Sequence, residues 1–318
     1  MKYTLIAENE DWMNIAAACQ LLGVSRSGFY AWKANCELRT TRTLATEQLL
    51  SVINQEYQNS RGTYGSRKIV EALRKNELVV SRNTVAKSMK AAGLKSKICK
   101  KFKPQQTDSN HENPIYENHL QRRFVVPCIN YAWCSDVTYI ATDVGWLYLA
   151  TVMDLYSNKI IGYATSDKVE RWLVVKALSN ALEARGYPRG VIVHTDRGST
   201  YCAKVYRKLI KQNGLIGSMS RKANCWDNAV AENFFGLIKR EVLNHFHFET
   251  KSHAELVIFD YINGWYNPNR IHSKLGYLSP DEFEAASRSQ TGTNLNSVKC
   301  CKKPQLLVEL TNLAAAMS

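Results

Sequence analysis

The sequence predicts an α/β chain, a mixed sheet flanked by helices and preceded by α-helical helix-turn-helix modules. Three observations carry that prediction. From about residue 129 to 285, short apolar segments of strand texture alternate with amphipathic helical ones, the pattern of a sheet covered by helices. Residues 12–33 and 64–94 each read as two short helices joined by a turn. Between these regions, residues 95–127 hold Pro104, Pro114 and Pro127 and no sustained period, which marks a linker. The expected domains are 1–60, helical and helix-turn-helix-like; 61–95, a basic helix-turn-helix; 96–128, a basic linker; 129–288, the core; and 289–318, a tail.

In the first module Ile15, Ala18, Leu21 and Leu22 fall at helical spacing, Gly23 breaks the pattern, and Ser25 caps a second helix carrying Phe29 and Trp32. Cys19, Gly23 and Phe29 keep the small–Gly–apolar spacing of a helix-turn-helix, which an ordinary helical hairpin shares. In the second module YGSRKIVEALRKN presents Ile69, Ala72 and Leu73 on one face. The following helix has Ser81 as cap, Val85, Met89 and Leu94 inward, and Gly93 as its end. Arg82, Lys87 and Lys90 lie on its outer side, where a recognition helix faces DNA. In the core, WCSDVTYI is a strand, GWLYLATVMDLYSNKIIGYATS is two strands around Ser157-Asn158, and RWLVVKALSNALEAR is a helix. GVIVHTD is a buried strand, YCAKVYRKLIKQNG a helix, LIGSMS a short strand, and NCWDNAVAENFFGLIKREVL opens a long helix.

The net charge is +14, from 42 basic and 28 acidic residues, which suits a polyanionic partner. Residues 61–103 alone contain 13 Lys or Arg against 2 Glu. A solvated helix face normally carries both signs, so this stretch reads as phosphate-contacting. No run of eighteen apolar residues is present and the amino terminus lacks a secretory pattern, so no membrane partner and a cytoplasmic, nucleoid-associated location are expected. Nine cysteines without a C-x-x-C pair read as reduced thiols. His111, His119, Cys128 and Cys134 do not have the spacing of a common zinc knuckle.

Two acids sit at matching places: Asp136 inside the first strand and Asp196 at the end of VIVHTD. A carboxylate in or just after an apolar strand is costly unless paired or bound to a cation, and two together repel. Hard-cation binding explains such a pair, because Mg²⁺ takes carboxylate oxygens and keeps water and phosphate as further ligands. Glu232 lies on the long helix, and Lys239, seven residues on, shares its face and can hold a phosphate beside the metal. Asp227 is a rival third ligand on spacing alone, or a helix-start residue that suits the dipole. His194 shares a face with Asp196 and reads equally as a site residue or a packing histidine. Asp143, Asp154 and Asp167 read as loop or hairpin acids. Arg197, Arg221 and Lys222 are expected phosphate contacts, and Trp226 and Asn228 are expected to shape the helix start.

The segments WCSDVTYI, HTDRGSTY and SRKANCWDNAVAENFFGLIKRE resemble the DDE catalytic core of bacterial insertion-sequence transposases of the second-open-reading-frame (OrfB) type, whose cores are related to retroviral integrase. Thirty-five residues separate Asp196 from Glu232, the spacing of that family, and YINGWYNPNRIHSKLGYLSPDEF resembles the stretch that closes its core. Within it Tyr266, Asn267, Arg270 and His272 read either as DNA or subunit contacts or as structural residues. The resemblance covers roughly residues 12–285, and the segment after about 288 departs from it.

The resemblance implies an RNase H-like fold and metal-dependent cleavage and strand transfer of insertion-sequence ends. In that reading Asp136, Asp196 and Glu232 hold two Mg²⁺ ions, for which Mn²⁺ can substitute. One ion activates a water or DNA 3′-hydroxyl, and the other stabilises the leaving oxygen. It also implies terminal inverted repeats and target DNA as partners, fusion with or binding to the upstream reading-frame product, and a homo-oligomer on DNA. Three rivals are a DNA-binding regulator, another RNase H-like nuclease and a tyrosine integrase. The intact acid triad argues against the first, its spacing and the upstream modules against the second, and the lack of need for a metal triad in tyrosine chemistry against the third.

Overall fold

The computed structural model describes residues 1–98, 115–221 and 225–291. Lys222, His111 and the expected tail beyond residue 291 lie outside them, whereas residues 289–291, expected as tail, end the last helix. The chain forms two compact units, Met1–Ser96 and Lys97–Ser318.

The first unit is all helical: α1 (Lys2–Glu8), α2 (Ile15–Leu21), α3 (Arg26–Asn59), α4 (Ser66–Lys75) and α5 (Arg82–Ala91). Asn14 caps α2 by accepting from the Ala16 N–H at 2.8 Å, and Ser25 caps α3 by accepting from Gly28 at 3.0 Å. Each cap satisfies an N–H that the helix itself leaves unpaired. Gly23, at φ 61°, makes the left-handed turn between α2 and α3. Ile6, Ala18, Cys19 and Phe29 are buried together, flanked by Tyr3 and Trp32. Leu21, expected inward, is 84% exposed. At about 100° per residue it falls well outside the stripe of Ile15, Ala18, Cys19 and Leu22.

The α3 helix runs for 34 residues, so its start serves the first module and its end the second. At that end α4 and α5 pack on it, with Ile53, Ile69, Leu73, Val85 and Met89 buried. Ser81 caps α5, as its place in the sequence predicts, accepting from Thr84 at 3.1 Å. Arg82, Lys87 and Lys90 are exposed.

The second unit is built on five strands: β1 (Ala132–Thr142), β2 (Gly145–Asp154), β3 (Ile160–Ser166), β4 (Ile192–Thr195) and β5 (Ile216–Met219). Their order is β3-β2-β1-β4-β5. The first three form an antiparallel meander, whereas β4 pairs parallel with β1 and β5 parallel with β4. This mixed sheet is the RNase H-like architecture. Its helices are α6 (Arg171–Ala184), α7 (Ser199–Cys202), α8 (Lys204–Gln212), α9 (Ala229–Glu241), α10 (Lys251–Phe259) and α11 (Pro280–Thr291).

One face of the sheet buries Trp133, Val152, Val193 and Ala164 against Val174, Leu178 and Leu182 of α6 and Tyr206 of α8. Gly162 lets α6 come close, since a Cβ there would stand 2.5 Å from the Ala177 carbonyl oxygen and the Ala181 nitrogen. The single helix expected over YCAKVYRKLIKQNG is two, because Ala203 takes an extended ψ of 140°.

Residues 115–128, expected as linker, lie on the sheet instead. Leu120 and Val126 are buried, the His119 N–H donates to Ser218 Oγ at 3.0 Å, and Tyr116 packs where a Gly217 side chain would stand. Their few apolar residues are spaced too irregularly to show a period in the sequence.

Candidate active site

Strand register brings the two aspartates side by side. In the parallel β1–β4 pair Cys134 faces His194, so Asp136 and Asp196 each lie two residues further along neighbouring strands, toward the same end. Asp196 follows the last residue of β4, where the chain leaves the sheet. Its Oδ1 accepts from the Gly198 N–H at 2.9 Å. A Cβ at Gly198 would stand 3.0 Å from that oxygen, so glycine fits the turn that holds the carboxylate. Asp136 Oδ1 accepts from the Val137 N–H at 2.8 Å. Glu232 enters from the first turn of α9, which packs on β1.

The electrostatics tie the three together. Burial pushes the Asp136 carboxyl well above the usual carboxylate range, and the charges of Asp196 and then Glu232 add to the rise, opposed by the Val137 N–H and by Lys239. Glu232 is raised by its own burial and by Asp196. Lys239 is lowered by burial, with Asp136 pulling the other way. Its ammonium lies 4.8 Å from the Tyr139 ring centre. Among the described residues no three His, Cys, Asp or Glu side chains are drawn in closely enough to enclose an ion. The donor set still suits a hard divalent cation: three carboxylates, with Asp196 raising the proton affinity of both others and Glu232 that of Asp136.

The other acids have different work. Asp227 lies in the 3₁₀ turn Cys225–Asn228 that precedes α9. Its fully buried carboxylate accepts from Arg122 Nε at 2.8 Å, Arg221 Nε and Nη2 at 3.0 Å, the Arg221 N–H and the Asn118 amide. Arg221, despite the opposing effect of burial, is foremost in holding it far below the usual range. This carboxylate is committed to fastening the 115–128 segment and the α9 approach.

His194 is likewise committed. Its Nδ1 lies 2.9 Å from Ser218 Oγ and its Nε2 2.9 Å from the Asp227 carbonyl oxygen, and burial lowers it to about 4. It is a packing histidine. Arg197 donates from Nε to the Ser220 carbonyl at 2.7 Å.

In the closing stretch Tyr266, Asn267 and Arg270 are held in bonds within the fold. Arg270 is buried and paired with Glu241 of α9, with Nε at 2.9 Å and Nη2 at 2.6 Å. The Asn267 side chain bonds both the N–H and the carbonyl of Ile160, completing an edge of β3, and the Tyr266 hydroxyl donates to the Asn158 carbonyl. Asp154 is no surface loop acid. It is buried at the end of β2, accepts from the Asn130 and Tyr156 N–H groups, and stands 3.4 Å from Arg185, which also holds Glu284. Burial first, with Glu284 adding, raises it to about 6 against the pull of Arg185. The sequence signal for these pairs is weak, because Arg185 and Glu284 are 99 residues apart.

Such a sheet, with acids on adjacent strands and on a facing helix, defines a polynucleotidyl transferase of the integrase-core class joined to a helix-turn-helix DNA-binding region. Residues 127–225 and 232–287 match the integrase core domain family, and residues 45–102 match an HTH-like domain. The chain is 42% identical over 265 residues to the "Insertion element IS600 uncharacterized 31 kDa protein" of Shigella sonnei, covering 83% of this chain and 96% of that one. It is 39% identical over 287 residues to "Transposase InsF for insertion sequence IS3A" of Escherichia coli (strain K12), covering 89% and 98%. The chain belongs to the insertion-sequence transposases represented by InsF of IS3, and its partner is DNA.

Similarity also extends to the HTLV-2 integrase catalytic core domain in complex with magnesium, at TM-score 0.38 and 16% identity over 49% of this chain and 97% of that one. The simian T-cell lymphotropic virus intasome gives TM-score 0.44 at 13% identity over 74% of this chain and 73% of that chain. No helix among the described residues is long and apolar enough to cross a membrane.

Proposed function

We propose that this transposase cleaves and joins the ends of its insertion sequence by a DDE two-metal mechanism in which Asp136, Asp196 and Glu232 hold two divalent ions, Mg²⁺ or in its place Mn²⁺. The observation that carries the reading is the convergence of three carboxylates from β1, the end of β4 and α9, with Asp136 raised by burial and by both of the others. When bound, such ions supply Lewis-acid activation of the attacking oxygen and stabilisation of the leaving oxygen.

The chain's own residues do the positioning. The Val137 and Gly198 N–H groups orient one oxygen each of Asp136 and Asp196. Lys239, on the Glu232 helix and electrostatically coupled to Asp136, holds a DNA phosphate beside the carboxylates. Arg197 and Arg221, the latter about half exposed while bonded to Asp227, extend the phosphate track together with Lys222. The exposed Arg82, Lys87 and Lys90 of α5 bind the terminal inverted repeats. Target DNA is the second nucleic-acid partner. The active form is a homo-oligomer on DNA that is fused to or binds the upstream reading-frame product, at the nucleoid in the cytoplasm.

The test uses oligonucleotides carrying the terminal repeats that flank the gene, purified protein and Mg²⁺ or Mn²⁺, with Glu232→Gln as control. The expected result is 3′-end nicking and strand joining that need the ion and vanish in the variant. DNA binding with no cleavage, even with the upstream product added, would overturn the reading in favour of a regulator.

A further inference from the structure

Beyond the acids, Lys239 also lines an open groove of about 520 Å³, within the range of roughly 300–1,000 Å³ found for small-ligand clefts. The groove lies between the tip of the β1–β2 hairpin and the chain that follows α9. Its walls are unusually aromatic for a solvent-facing surface. Trp146 and Phe246 are each 50% exposed and Tyr139 is 37% exposed. Trp146 stands edge-on to Tyr139 with ring centres 5.0 Å apart, and Lys239 lies over the other aromatic partner of that pair, Tyr139.

The walls are held before any ligand arrives. The Asp143 N–H donates to the Phe248 carbonyl at 2.9 Å, the Thr142 hydroxyl closes the hairpin onto the Gly145 carbonyl at 2.6 Å, and Phe246 stacks on buried Phe248. The groove thus combines flat apolar ring faces, a cation, and polar edge groups in exposed Asn244 and the His247–Asp143 pair. Rings that stack bases beside a cation that holds backbone phosphate are the combination used to bind single-stranded nucleic acid.

We infer that the Tyr139–Trp146–Phe246 groove receives an unpaired nucleotide of the DNA end, stacking its base while Lys239 holds the adjoining phosphate. The inference rests on the reading of this chain as an end-joining transposase. Lys239 gives the groove and the carboxylates a shared wall, so a strand whose phosphate lies at Lys239 passes directly from one to the other. Lifting a base from the duplex costs a few kcal/mol. Stacking in the groove offsets that cost and frees the backbone beside the carboxylates.

The test uses the full chain without divalent ions, so that it reads binding alone. The probe is a duplex carrying the flanking terminal sequence, with 2-aminopurine as a mismatched end base, compared with the same duplex fully paired. Wild-type protein is expected to quench the probe and to bind the frayed end more tightly. Trp146→Ala should abolish the quench and weaken binding of the frayed end about tenfold, leaving the paired duplex unchanged. Trp146→Phe should keep most of both effects, and Phe246→Ala should lose part of them. Circular dichroism establishes that each variant is folded.

An unchanged signal in wild type that nevertheless binds the duplex would overturn the inference, as would wild-type quenching by Trp146→Ala. A change in self-association without a change in quenching would make the groove a protein interface and likewise overturn it. Failure of the catalytic reading shows separately, as absent strand joining while quenching persists.

Discussion

Two acidic places in the sheet unit, separated by only a few residues of sequence, behave in opposite ways. At the Asp136–Asp196–Glu232 site, burial and neighbouring carboxylates push proton affinity up. At Asp227, five residues before Glu232, two guanidiniums push it far down. Glu232 and Asp227 both lie at the start of the same helical segment, and sequence position alone does not tell them apart. What separates them is the partner chemistry. Arginine forks turn an acid into a fastening, whereas an accumulation of acids with mutual repulsion leaves a demand for positive charge that a metal ion meets.

The sharpest way to break this contrast is to neutralise one acid at each place. Glu232→Gln, Asp196→Asn or Asp136→Asn should each lower strand joining by about 10³-fold or more, equivalent to about 4 kcal/mol of barrier, with folding retained. Asp227→Asn should do the reverse. Losing charge-assisted bonds to a buried carboxylate should cost about 2–4 kcal/mol of stability, read as a lower midpoint in thermal or urea unfolding. Joining by the folded fraction of Asp227→Asn should remain within about tenfold of wild type. A loss as deep as that of Glu232→Gln, in a protein still folded, would make Asp227 a ligand and dissolve the distinction.

A smaller effect sharpens the same contrast. The folded-state proton affinity of Asp136 is raised, so keeping it charged destabilises the fold at any pH above the ordinary carboxylate range, and that penalty fades as pH falls. Asp136→Asn should therefore raise the Tm of ion-free protein at neutral pH by a few degrees. Mg²⁺ should raise the wild-type Tm and leave that of the variant nearly unchanged. A variant less stable than wild type in the absence of ions would show that Asp136 is held by compensating bonds, as Asp227 is.

How much of this could be read in the residues follows from the range of the interactions. Asp136 and Asp196 were legible because each stands against a run of apolar strand residues, where a charge is conspicuous. The alternating strands and helices, and the Ser25 and Ser81 caps, were legible because their signals are local. The fastening of Asp227 was not, since its partner Arg122 is 105 residues away in a segment whose composition reads as linker. Separation in sequence likewise hid Arg185–Glu284, 99 residues apart, and Arg270–Glu241, 29 residues apart. The long α3 was hidden differently: its 34 residues contain no proline and a single glycine, Gly28 in the first turn, but their apolar positions switch face between the two modules that it serves.

The least effect expected concerns His194, which stands between the two acidic places, two residues before Asp196 and bonded to the Asp227 carbonyl. Burial lowers it to about 4, from an ordinary value near 6.5. The unfolded chain therefore takes up a proton as pH falls through about 6.5, while the folded chain does so only near 4. The neutral ring contributes stability that is fully present above that window and is lost as pH falls across it. The raised Asp154, near 6, and the other raised acids work in the opposite direction, so the wild-type profile alone is ambiguous. The difference between wild type and His194→Gln isolates the histidine. The variant should be less stable at pH 7, because the ring's bonds to Ser218 and Asp227 are lost. Its stability should then fall more slowly than that of wild type between pH 6 and 5, by about 1 kcal/mol per pH unit. Parallel profiles would mean that His194 takes up its proton in the fold as readily as in the open chain. Its place would then belong with the acids that draw in positive charge, and no longer with the packing that Asp227 fastens.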